Sequence, residues 1–116
     1  MKKLLTLVLI IMVTVACAGA NAHTVRGIEL IEDDRINTNQ FIEADKCSAC
    51  IEISNAYYIW ASERIDGDNH IVRVTMYTMN GDKIFDQGGY KTYEDYVLQV
   101  NTLIRIALNA IDDGLV

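Results

Sequence analysis

Cys47 and Cys50, in the stretch ADKCSAC at residues 44–50, are the side chains here whose type and spacing could do chemistry. Two cysteines separated by two residues serve as a redox couple, as half of a metal site, or as a disulfide. A redox couple needs a thiolate of lowered pKa at a helix N-terminus, inside a thioredoxin-type fold that sets a cis-proline beside it. The chain has no proline. A structural zinc site needs four Cys or His ligands, usually as two close pairs. Here one cysteine pair is accompanied only by His23 and His70, neither with a partner at ligand spacing. The favoured reading is a disulfide between Cys47 and Cys50. It suits an oxidising compartment, and closing so short a loop contributes about 2 kcal/mol.

His23 raises a second possibility, because it sits beside the cleavage sites expected of an export signal. If processing follows Ala20, it is third from a free amine, and amine, amides and imidazole offer a square plane of nitrogens to Cu(II) or Ni(II). If processing follows Ala22, amine and imidazole of His23 chelate together, and His70 is the candidate third nitrogen. Copper binding is carried as the alternative function, and no cofactor is otherwise expected. The acidic clusters Glu32-Asp33-Asp34 and Asp66-Gly67-Asp68-Asn69 read as solvated turns. An EF-hand loop starting at Asp66 would need glutamate where Tyr77 stands. Paired carboxylates that could hydrolyse glycosides rank third. No nucleophile elbow, phosphate loop or zinc-protease motif is present, so a non-enzymatic role is expected.

Six tyrosines and one tryptophan remain. Such side chains bring large contact area with few rotors to binding surfaces, and Tyr57, Tyr58 and Trp60 form the candidate partner-binding patch. The competing reading has the aromatics roofing the core with only their polar tips in water.

The elements that must position these groups read as α+β. The clearest is a C-terminal helix over about 92–112, with apolar residues at Tyr93, Tyr96, Val97, Val100, Leu103, Ile104, Ala107, Leu108 and Ile111 on one 3.6-residue face. Thr92 is its N-cap, Glu94 and Asp95 favour the positive end of its dipole, and Gly114 stops it. Before it, a hairpin spans about 70–88 around Asn80-Gly81. Placing those two residues in the loop sets Met76 opposite Phe85 and Tyr77 opposite Ile84. Val72, Val74, Met76 and Phe85 then face a core, and Arg73, Thr75 and Asp86 face water. Gly88-Gly89 is read as the turn into the helix. Over about 39–62 the favoured reading is a second helix capped by Asn37, with Ile42, Ala49, Cys50, Ile53, Ala56, Tyr57 and Trp60 on one face. Phe41 and Ile59 then fall on its polar side. The alternative is a strand through AYYIWAS, with Asp66–Asn69 as a hairpin loop. TVRGIELIE, residues 24–32, alternates weakly and suggests an N-terminal strand.

The first 22 residues read as a signal peptide: Lys2 and Lys3, an apolar stretch from Leu4 to Val15, then small residues. The apolar run falls short of the about 20 residues that span a bilayer. In a competing lipoprotein reading, Cys17 is acylated. Residues 23–116 form one small domain. They carry 8 basic and 16 acidic side chains, a net charge of −8. That sign repels phosphate backbones, so nucleic acid is not an expected partner. The expectation is a periplasmic or secreted binding protein of the bacterial envelope, an inhibitor, immunity-type protein or accessory factor with a protein partner. Intact mass of the protein recovered from the envelope should give a mature start at Asn21 or His23; a lipid-modified Cys17 would show the other processing route.

Overall fold

A computed structural model describes residues 25–115; Cys17, His23 and the proposed signal peptide lie outside the described residues. Five strands run in sequence order: β1 (Ile36–Ile42), β2 (Lys46–Ile53), β3 (Tyr57–Asp66), β4 (Asn69–Thr78) and β5 (Lys83–Tyr90). Each pairs antiparallel with its sequence neighbour, giving a sheet of order β1-β2-β3-β4-β5. One helix, α1 (Tyr93–Asp112), follows.

The sheet exists because residues 46–76 repeat with period two. Cys47, Ala49, Ile51 and Ile53 of β2, Ile59, Ala61 and Glu63 of β3, and Val72, Val74 and Met76 of β4 all point to one side and are buried. The residues between them point the other way. On α1, Tyr96, Val100, Leu103, Ile104, Ala107 and Leu108 form the buried stripe that closes this core. Each fully buried isoleucine contributes roughly 1.5–3 kcal/mol by leaving water. The helix begins where the sequence places it, with the Thr92 hydroxyl accepting from the Asp95 amide at 3.2 Å. It ends at Asp113, followed by Gly114 at φ 71°.

The expected second helix over 39–62 is corrected: the segment holds the end of β1, all of β2 and half of β3. The apolar positions assigned to one helical face fall on both faces of three strands, with Ala56 in the turn between β2 and β3. The β-branched and aromatic residues Ile51, Ile53, Tyr57, Tyr58, Ile59 and Trp60 fit a pleated surface better than a helix. Ile59, a misfit on the helix, is fully buried on the strand.

The N-terminal strand is also corrected. Residues 25–33 make no ladder, yet Val25 and Ile28 are buried and Leu30 and Ile31 pack on the core. Side chains satisfy this strap's backbone instead. Asn101 of α1 accepts from the Ile31 amide at 3.0 Å and donates to the Glu29 carbonyl at 2.9 Å. Gln40 of β1 accepts from the Ile28 amide, and the Tyr93 hydroxyl donates to the Gly27 carbonyl. Gly27 sits at φ 81°, and a Cβ there would stand 2.9 Å from Gln40 Oε1. Arg35 fastens the strap's far end, pairing with Asp33 and, at 2.6 Å, with Asp112 of α1.

In the β4–β5 hairpin Met76 faces Phe85 as expected, but Tyr77 pairs with Lys83 rather than Ile84. A one-residue bulge leaves Ile84 exposed and lengthens the loop beyond Asn80-Gly81. Gly88 and Gly89 lie within β5 rather than turning the chain.

One polar residue interrupts the core. The Glu63 side chain is wholly buried, its Oε1 2.9 Å from His70 Nε2. His70 Nδ1 lies 2.6 Å from the Lys91 carbonyl, which can only accept, so that nitrogen carries a hydrogen. A single proton therefore lies between Nε2 and the carboxyl. Burial pushes the Glu63 pKa up, and the bond to His70 offsets only part of this. Glu63 Oε2 and the Tyr96 hydroxyl have no hydrogen-bond partner among the described residues. Because the folded pKa of an acid is raised, folding takes up a proton. The stabilisation is present at low pH and is lost as pH rises through the folded value. Glu63→Gln replaces the carboxyl by an amide whose N–H can donate to His70 Nε2, without the charge. Urea unfolding should show the native chain losing stability as pH rises above the ordinary carboxylate range, with the variant losing less than half as much.

Candidate functional site

The other side of the sheet is covered by no element among the described residues, and the strand registers lay out its contents in rows. One row reads Asn37, Glu52, Tyr58, Tyr77, Lys83; the next reads Asn39, Cys50, Trp60, Thr75, Asp86. The third is Phe41, Ser48, Ser62, Arg73, Gly88, and the fourth holds Lys46, Arg64, Ile71 and Tyr90. Successive rows are about 7 Å apart along the strands.

The first two rows form an aromatic surface. The Tyr58 and Tyr77 rings stack with centroids 4.8 Å apart and planes 14° from parallel. Trp60, beside them, is 47 % exposed, and Phe41 at the sheet edge is 77 % exposed. Thr75 lies between Trp60 and Asp86 and is buried although no helix covers it. Of the three residues expected to bind a partner, Tyr58 and Trp60 share this face. Tyr57 points to the other side and packs against the core.

The third and fourth rows carry Arg73, Lys46 and Arg64 at their centre, with Phe41 and Tyr90 at the sheet edges. A hollow of about 690 Å³ is bordered by Lys46, Arg64 and Arg73, by Asp86, and by Ser48, Ser62 and Gly88, the last adding no side chain. Arg73 donates to Asp86 through Nε and Nη2, at 3.1 and 2.8 Å. That bond holds the Asp86 carboxyl below its usual pKa, with Lys83 adding to the effect. Sequence reading passed over Lys46, Arg64 and Arg73. Their convergence needs three strands in register, and no spacing along the chain reveals it.

The disulfide expectation is corrected here. In β2 the two cysteines are three residues apart in extended chain, about 10 Å, where a disulfide needs α-carbons within about 7 Å. An odd separation also sends them to opposite faces. Cys47 is buried opposite Glu63, Cys50 lies half-exposed beside Trp60, and both are free thiols. Burial raises both thiol pKa values, with Glu63 adding to the rise at Cys47 and Glu52 at Cys50. Neither environment favours the thiolate that redox chemistry needs. His70 is also unsuited to the metal role given to it, because both ring nitrogens are engaged within the fold. Among the described residues no three His, Cys, Asp or Glu side chains form a group that could hold a metal ion. Glu63, the partner of His70, was a missed residue. Its signal is the alternation Ile59, Ala61, Glu63, legible only once the segment is read as a strand.

No family model, curated protein or solved structure matches the chain. Alkylation without reductant should modify Cys50 in the native protein, at a rate at least roughly tenfold above that of Cys47, which should react only on unfolding. Liquid chromatography with mass detection of the modified peptides distinguishes the two thiols.

Proposed function

We propose that this chain is an exported, non-enzymatic binding module that engages a protein partner through the uncovered face of its sheet. The observation that carries this reading is the sorting of side chains. The sheet spends its aliphatic residues on the face beneath α1, and places Tyr58, Tyr77 and Trp60 side by side on the face that no described element covers. Aromatic residues in that position bury large area on docking at little rotational cost. Export is supported by the order of charge, apolar stretch and small residues in the first 22 positions. Among the described residues no helix is long and apolar enough to cross a membrane. The groups best suited to proton transfer, Glu63 and His70, bond to each other on the opposite face, away from the aromatic surface.

A photo-crosslinking residue installed at position 60 should trap a defined partner in the envelope, and the same residue at Ile106, on the exposed side of α1, should not. Against the purified partner, Trp60→Ala should weaken binding by about 2 kcal/mol, roughly 30-fold, while leaving the thermal midpoint nearly unchanged. Unaltered affinity, or crosslinks only from position 106, would overturn the reading.

A further inference from the structure

We infer that the segment this face accepts is acidic: a stretch of the partner whose apolar side chains meet the aromatic rows and whose carboxylates meet Lys46, Arg64 and Arg73. The inference rests on the proposed binding function and specifies its partner.

Charge is the first ground. Of the eight cationic side chains in residues 23–116, Lys46, Arg64, Arg73 and Lys83 lie on the uncovered face; of the sixteen carboxylates, Glu52, Asp66 and Asp86 do, with Glu43 beside Lys46 at its edge. The excess of positive charge is local to the hollow, whose border sets Lys46, Arg64 and Arg73 against Asp86 in a chain of net charge −8. Opposite potentials across an interface steer encounter and fix register.

Register is the second ground. Lys46 and Arg64 are directly opposed across β2 and β3, and Arg73 is the diagonal neighbour of Arg64 across β3 and β4. Like charges placed directly opposite destabilise a sheet. Inside the chain Asp86 compensates Arg73, but the compensation of the opposed pair Lys46 and Arg64 is slight. Lys46 reaches Glu43 at 3.5 Å with both side chains about 60 % exposed, a pairing that water screens strongly. Arg64 has no ion-pair partner among the described residues. A carboxylate entering the hollow would offset the repulsion, with the Ser48 and Ser62 hydroxyls, paired across the same strands, as further donors.

The spacing then defines the ligand. Rows repeat every two residues along each strand, and so does an extended peptide lying parallel to the strands. A segment with apolar side chains at two alternate positions and carboxylates at the next two would meet Tyr58 and Tyr77, then Trp60, then Arg73, then Lys46 and Arg64.

The test uses the acetylated peptide Tyr-Thr-Phe-Thr-Glu-Thr-Glu and its counterpart with lysine in place of both glutamates. Trp60, the one tryptophan of the chain, supplies a fluorescence signal, and amide shifts of the ¹⁵N-labelled protein map the site. The acidic peptide should shift Trp60 emission and the amides of Lys46, Arg64 and Arg73. It should bind at least tenfold more tightly than the lysine peptide and lose tenfold or more in 0.5 M NaCl. Arg64→Glu, which places an opposite charge across from Lys46 and so leaves the sheet intact, should weaken it by a similar factor. If both peptides shift the face equally, or Arg64→Glu has no effect, the acidic specificity falls while the binding face stands. If neither peptide shifts it, both readings fall. If inorganic phosphate or phosphatidylglycerol vesicles give the same shifts at the same concentration of anion, the cations serve a simple anion or a lipid surface, and the inference is overturned.

Discussion

Among the described residues the architecture depends on a single helix having to cover one face of a five-stranded sheet. Five strands span about 24 Å across, whereas a helix with its side chains is about 10–12 Å wide. α1 seals the centre, over Ile51, Ile59, Ala61 and Val74, and cannot reach both edges. The strap at residues 25–33 supplies the missing cover with Val25, Ile28, Leu30 and Ile31. Because it pairs with no strand, its backbone must find partners among side chains. This accounts for Asn101, Gln40 and Tyr93 all bonding to main-chain atoms of the strap. The ion pairs of Arg35 to Asp33 and Asp112 tie the strap's end to the last turn of the helix.

The same shortage of cover explains the polar end of the core. Near the start of α1 the aliphatic layer gives way to Cys47, Glu63, His70 and Tyr96, which lie at the Lys46–Asp45 end of β2 and the turn end of β3 and β4. Glu63 is deep enough to be held in the proton-bound direction, and His70 orients its ring through the Lys91 carbonyl just before the helix. The edge contact between the His70 and Tyr96 rings, at 6.1 Å, joins this group to the helix. A buried bond of this kind adds little net stability, since desolvation offsets most of the attraction. It does couple the β3–β4 turn to the start of α1.

Leaving the second face bare has consequences for both binding and solubility. The outer strands present free edges, which in other chains invite unwanted pairing. Here β5 is interrupted by the bulge at Ile84 and carries Lys83, Asp86 and two glycines, all of which weaken it as a template. Along the strands the centre of the uncovered face runs from Tyr58, Tyr77 and Trp60 to Arg73, Lys46 and Arg64, while its edges carry Phe41 and Tyr90 beside the cations and Lys83 beside the tyrosines. Such a surface suits a partner segment that carries both an apolar and an acidic element, and it disfavours pairing with a copy of its own predominantly acidic exterior less than a neutral face would.

Local sequence determined the elements whose signals are local. The cap at Thr92, the 3.6-residue stripe from Tyr96 to Leu108 and the facing of Met76 by Phe85 around Asn80-Gly81 all depend on residues close in the chain, and they stand as read. Residues 39–62 were misread because a mixture of small, β-branched and aromatic residues satisfies a helical face nearly as well as two strand faces over so short a span. Ile59 and Phe41 were the only local objections. The strap's weak alternation reads as a strand, because its actual backbone partners, the side chains of Asn101 and Gln40, leave no local signal. The cysteines show the difference most plainly. Their spacing permits a disulfide on a helical turn and forbids it in a strand, so the choice waited on strand pairing. The aromatic and cationic rows belong to the same class: Trp60 and Arg64 were visible as residues, but their placement beside Tyr77, Lys46 and Arg73 exists only once three strands pair in register, because pairing sets which side chains share a face.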